Sequence, residues 1–202
     1  MPRPKGSLGA IVELAVIVAM AIGLALLIQA FVVKPYQIPS GSMEPTLDIG
    51  QRVLVNRFIY HLHDPQIGDI VVFHPPAGAD GNRNDCGAPH SVQEACPQPT
   101  PGESSQNFIK RIVAGPGDTL SIRGGHPVVN GVKAKESFIN PCQGGGSCNL
   151  PKTITIPPDD YFMMGDNRGA SDDSRFWGPV PRSWIIGEAF FTYWPPHRIG
   201  IL

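Results

Sequence analysis

Residues 14–33, LAVIVAMAIGLALLIQAFVV, form a run of twenty in which Gln29 is the one strongly polar side chain. At about 1.5 Å rise per residue, twenty residues make a helix roughly 30 Å long, the thickness of a bilayer's hydrocarbon. A helix on a globular surface carries a polar face, and this run has none, so burial in a soluble domain fits poorly. A cleavable export signal also sets basic residues, here Arg3 and Lys5, before an apolar stretch. Its apolar part, however, usually spans about 7 to 15 residues. The longer run is read as a retained transmembrane anchor over residues 10–33, behind a short tail, 1–9. Arg3 and Lys5, weighed against Lys34 on the other flank, place the tail in the cytoplasm and residues 34–202 outside.

The length left for 34–202 suits one domain. With 23 glycines and 22 prolines, short strands and many turns are expected rather than a helical bundle, so the body is read as mainly β. Sixteen basic and seventeen acidic residues leave a net charge of −1, and nucleic acid is not an expected partner. Four cysteines, Cys86, Cys96, Cys142 and Cys148, sit in turn-rich segments of the body. An exported domain permits disulfides, and of the three connectivities the local one, Cys86 with Cys96 and Cys142 with Cys148, is expected. No C-x-x-C or H-x-x-x-H spacing occurs, so no metal site is expected.

Alternating or β-branched runs predict strands at 52–60, 69–73, 108–113, 119–122, 153–156, 161–164 and 185–194. Asn130-Gly131 marks a hairpin, and residues 77–106 and 136–152 read as long loops. Three segments carry the chemistry. In PSGSMEPTL, 39–47, Ser40 and Ser42 stand two apart without a neighbouring base, and taken alone they are ordinary turn residues. Of six lysines only Lys110 lies within an apolar strand, on the face of Phe108 and Ile112. It is either a charge that guards an edge strand or a desolvated amine of lowered pKa. A fall of about 2 units would raise its neutral fraction near pH 7.4 from about one in a thousand to about one in ten. Such an amine can take a serine's proton. The third segment, GDNRGASDDSR, 165–175, is either a solvated loop or a rigid turn beneath a site.

The anchor, IPSGSMEPTL, GDIVVF, FIKRIVAGPGD and GDNRGASDDSRFWGPVP, in this order, resemble the bacterial type I signal peptidases, membrane-bound serine proteases that cleave signal peptides from exported proteins. The resemblance implies a signal-peptidase/LexA-like β-barrel-type domain and no cofactor. It assigns Ser42 as nucleophile and Lys110 as general base, with the Ser40 hydroxyl and the Ser42 N–H forming the oxyanion hole. Ser171 would orient the lysine, and Asp173 with Arg175 and Asp166 with Arg111 would be supporting ion pairs. Ile38, Met43, Leu47 and Ile109 would line one substrate pocket, and Tyr36, Val53 and Ile109 a second. Cleavage would follow small-x-small sites, with preprotein signal peptides and the lipid bilayer as partners, in a monomer of the plasma membrane. Nothing from the family is carried onto 77–106. An S-x-x-K motif of penicillin-interacting enzymes is absent. A catalytically silent, tethered domain that binds exported peptides is the alternative from another class.

Overall fold

The computed structural model describes residues 7–79, 81 and 86–202. Most of the expected tail, including Arg3 and Lys5, and residues 80 and 82–85 of the first expected loop lie outside the described residues. In chain order the helix α1 (Ser7–Phe31) is followed by β1 (Val33–Gln37), β2 (Arg52–Asn56), β3 (Ile70–Phe73) and β4 (Phe108–Ala114). Then come β5 (Thr119–Arg123), β6 (His126–Val129), β7 (Val132–Lys133), β8 (Leu150–Thr155) and β9 (Asp160–Met164). A short helix α2 (Ser174–Trp177) precedes β10 (Val180–Pro181), β11 (Ile185–Trp194) and β12 (Gly200–Ile201).

Helix α1 packs none of its 19-residue apolar stretch, Gly9–Leu27, against the body. It ends two residues before the expected end of the anchor. Val33 is already paired with Asn56 across β1 and β2, and the Val32 carbonyl accepts the Arg57 N–H at 2.8 Å. The last apolar residues of the run are therefore spent on the sheet. The run 52–60 is likewise a shorter strand than expected. The Asn56 carboxamide oxygen accepts from the N–H groups of Phe58 and Ile59, at 3.0 and 3.1 Å, and turns the chain out of β2.

The strands make a curled antiparallel sheet in the order β1-β2-β11-β3-β4-β9-β10, with β12 on β11. Register shifts let the ten residues of β11 pair with β2, β3 and β12 in turn. A second sheet, β7-β6-β5-β8, holds the expected hairpin, with Asn130 and Gly131 at φ 50° and 81°. Its inner side chains, Leu120, Ile122 and Ile154, pack on Ala114, Phe162 and Met164 of the large sheet. Strand β4 divides the rest of the core. Ile109 joins Ile38, Met43, Leu47, Val53 and Val72 on one side, and Ile112 joins Val71, Phe73, Met163 and Trp177 on the other. The cysteines are joined as Cys86–Cys96 and Cys142–Cys148, each closing a loop.

Candidate active site

The segment that carries Ser42 is a single 3₁₀ turn, Gly41–Met43, closed by the Glu44 N–H donating to the Gly41 carbonyl at 3.2 Å. Met43 and Leu47 are wholly buried and bonded to each other through the Leu47 N–H and Met43 carbonyl, which anchors the turn in the core. A second clamp comes from the polar segment after β9. The Asn167 N–H donates to the Ser42 carbonyl at 3.1 Å, and its Nδ2 donates to the Gly41 carbonyl at 3.0 Å. Gly165 lies so close that a Cβ there would collide with the Ser42 carbonyl oxygen and the Ser171 hydroxyl. The absence of a side chain is what lets the two segments meet.

Lys110 stands in the middle of β4, opposite Val71 of β3, and is only 4 % exposed. Its Nζ donates to Ser42 Oγ at 2.7 Å and lies 5.5 Å from the centre of the Phe108 ring. Burial pushes its pKa down to about 8, against the pull of Asp173, Asp172 and Asp166 toward a higher value; Arg175 adds to the fall. About a tenth of such amines are neutral at pH 7. Of the two readings open to this lysine, the structure shows the desolvated amine. The Ser40 hydroxyl donates to Ser42 Oγ at 3.4 Å, a long contact.

The polar segment 165–175 is buried rather than solvated. Asp173 and Arg175 form a two-point ion pair at 2.8 and 2.9 Å, both side chains inaccessible to solvent. Burial works to raise the Asp173 pKa, but the Arg175 guanidinium and the Gly165 N–H, donating at 3.0 Å, outweigh it and hold the carboxylate below its ordinary range. Asp166 accepts from Arg111 at 2.9 and 2.7 Å and from the Thr46 hydroxyl. Because Thr46 follows the Ser42 turn and Arg111 follows Lys110, this carboxylate ties together all three segments singled out in the sequence. Ser171 departs from expectation. Its hydroxyl is near enough to Asp173 to favour the ionised carboxylate, yet it has no partner of hydrogen-bonding geometry and makes no bond to Lys110 among the described residues.

Ser42 and Lys110 open onto a cleft of about 850 Å³. Tyr36, Ile38 and Ile109 line it. Met43, Leu47 and Val53 do not: they are wholly buried behind the cleft wall, where they form its packing. Asn167, Asp172, Gln106 and Asn107 line it without having been singled out for it. Asn167 had a usable signal in its place beside Asp166, whereas Gln106 and Asn107 belong to a loop whose composition says only that it is a loop.

A serine hydroxyl bonded to a buried amine thus sits in a β-scaffold that follows an apolar helix of membrane-spanning length. The chain belongs to the signal peptidase family, peptidase S26, which matches residues 11–194. It is 40% identical over 184 residues to a probable signal peptidase I-1 of Synechocystis sp. (strain ATCC 27184 / PCC 6803 / Kazusa), covering 91% of this chain and 82% of that one. Thylakoidal processing peptidase 1 of Arabidopsis thaliana is 35% identical over 181 residues, 89% of this chain and 47% of its own length. A crystal structure of a signal peptidase I from Enterococcus faecalis V583 aligns with 62% of this chain and 97% of that chain, with TM-score 0.44 and 25% identity.

Proposed function

We propose that this signal peptidase cleaves N-terminal signal peptides from exported preproteins after small-x-small sites, with Ser42 as nucleophile and neutral Lys110 as general base. The observation that carries the reading is the 2.7 Å contact between Lys110 Nζ and Ser42 Oγ at the wall of the cleft. In the neutral enzyme fraction the amine takes the Ser42 proton as Oγ attacks the scissile carbonyl. The Ser42 N–H and the Ser40 hydroxyl, turned from its long contact with Oγ, stabilise the oxyanion, each donor worth about 3 to 4 kcal/mol. Lys110 returns the proton to the leaving amine, and it then activates the water that releases the acyl group.

An extended peptide presents alternate side chains to one wall, which matches recognition of two small residues with one between them. Ile38, Ile109 and Tyr36 shape the shallow surfaces for them, while Met43, Leu47 and Val53 hold those surfaces from behind. Asp173–Arg175 and Asp166–Arg111 keep the walls in register, and Ser171 adjoins the lysine site. Helix α1 anchors a single-pass monomer in the plasma membrane, with residues 1–9 cytoplasmic and the catalytic domain, from residue 34, outside. The purified full chain in detergent is expected to cleave a preprotein at a small-x-small site, and Ser42→Ala and Lys110→Ala each to reduce cleavage to background. Full cleavage by Lys110→Ala, with loss in a histidine variant, would overturn the assignment.

A further inference from the structure

We propose that Asp172 is a positioning residue for Lys110: its carboxylate receives the ammonium that Lys110 becomes on taking the Ser42 proton. The inference rests on the Ser/Lys reading above and adds a residue to it. Among the described residues, Ser42 Oγ is the one hydrogen-bond partner of the Lys110 amine. An ammonium has three N–H donors, so proton transfer creates donors that need acceptors in a site with little access to water. Two buried oxygens on the adjoining segment have no partner: Ser171 Oγ and Asp172 Oδ1. Asp172 also lines the cleft that Ser42 and Lys110 line.

Charge separates Asp172 from its neighbours. Of the three carboxylates that act most on Lys110, Asp173 is paired with Arg175 at 2.8 Å and Asp166 with Arg111 at 2.7 Å. Asp172 makes no ion pair among the described residues. The other charged groups around Lys110 do not fill the role. Arg175 opposes the ammonium, and Arg111 on β4 is turned to Asp166. The facing strand β3, IVVF, has no titratable side chain, and Glu44 shares the cleft from the turn that carries Ser42. Burial, and after it Asp173, raises the Asp172 pKa, while Lys110 and Arg175 lower it. A half-buried carboxylate with an unpaired oxygen is costly, and formation of the ammonium relieves that cost. Against the burial that disfavours the ammonium, Asp172 thus favours the state after proton transfer over the state before it.

Removing the Asp172 charge removes a stabiliser of the ammonium, so the acid limb of kcat/KM moves to lower pH while the plateau falls. The test measures kcat/KM against pH for the full chain in detergent, with a preprotein substrate, for the wild type, Asp172→Asn, Asp172→Glu and Lys110→Ala. For Asp172→Asn the limb is expected to move down by about half to one pH unit, with a plateau about tenfold lower. Asp172→Glu should return the limb to within a few tenths of a unit of the wild type. Asp172→Ser supplies the same comparison if the amide disturbs the loop, which thermal melts will show. A limb that stays in place or moves upward on loss of the charge, or that Asp172→Glu fails to restore, overturns the proposal. Activity retained by Lys110→Ala would overturn the Ser/Lys reading itself. An inactive Lys110→Ala with an unmoved limb in Asp172→Asn overturns the role of Asp172 alone.

Discussion

Replacing Lys110 by methionine is expected to make the protein more stable while it abolishes cleavage. The amine falls from an ordinary pKa of 10.5 to about 8 in the fold, chiefly through burial. A difference of about 2.5 units, at 1.36 kcal/mol each, is about 3 kcal/mol by which the fold disfavours the charged form. The unfolded chain keeps its lysine proton up to its ordinary pKa, whereas the folded protein sheds it above about 8. Between those values the unfolded state binds more protons, so wild-type stability rises with pH across that window and is handicapped in full below it. Methionine has a similar length and carries no charge, which removes the handicap. Loss of the bond to Ser42 returns about 1 kcal/mol, leaving a net gain of about 2 kcal/mol at pH 7. The three tryptophans, Trp177, Trp184 and Trp194, all lie in the body, so urea unfolding of the full chain in micelles can be followed by their fluorescence. The advantage of Lys110→Met should be largest at pH 7, shrink as pH rises above about 8, vanish near pH 10 and give way above it to a deficit of up to about 1 kcal/mol, the lost bond to Ser42. Equal stabilities at pH 7, or a difference that does not shrink over that range, would refute the reasoning.

Gly165→Ala should cost about 2 kcal/mol or more in unfolding free energy and most of the activity, because the new Cβ meets the Ser42 carbonyl oxygen, a backbone atom with little freedom to move. A stable, fully active Gly165→Ala protein would show that the two segments do not need this approach. Asp166→Ala leaves Arg111 and the Thr46 hydroxyl without their shared carboxylate and should destabilise by about 3 kcal/mol in the same unfolding assay, as for buried pairs. A loss below about 1 kcal/mol, the range of exposed pairs, would mean that the pair does not join the segments.

What could be read in the sequence was whatever depends on local pattern. A lone lysine in FIKRIV stands out because strand alternation forces its side chain into apolar company, and the structure finds it buried. The long β11, the Asn130-Gly131 hairpin and the apolar helix are local patterns of the same kind. Contacts distant in sequence were not legible. Asn167 holds Gly41 across 126 positions, and nothing in either segment names the other. The apolar character of Met43, Leu47 and Val53 suits a cleft wall and a core equally, and only the packing shows that they lie behind the surface. Asp172 sits in a run of polar residues where the types alone do not say which carboxylate is committed to an arginine. The apolar helix stops two residues before the expected end of the anchor for a physical reason: Val33 is as suitable for an edge strand as for a membrane helix.

The pH dependence of kcat/KM for the wild-type full chain, cleaving a preprotein in detergent, bears most directly on a neutral Lys110 as the base that activates Ser42. With a free-enzyme pKa of about 8, the neutral fraction grows about tenfold from pH 7 to pH 9, and kcat/KM should rise by the same factor about a midpoint near 8. A midpoint near 6.5, the ordinary value for histidine, or a rate unchanged between pH 7 and pH 9, would contradict it.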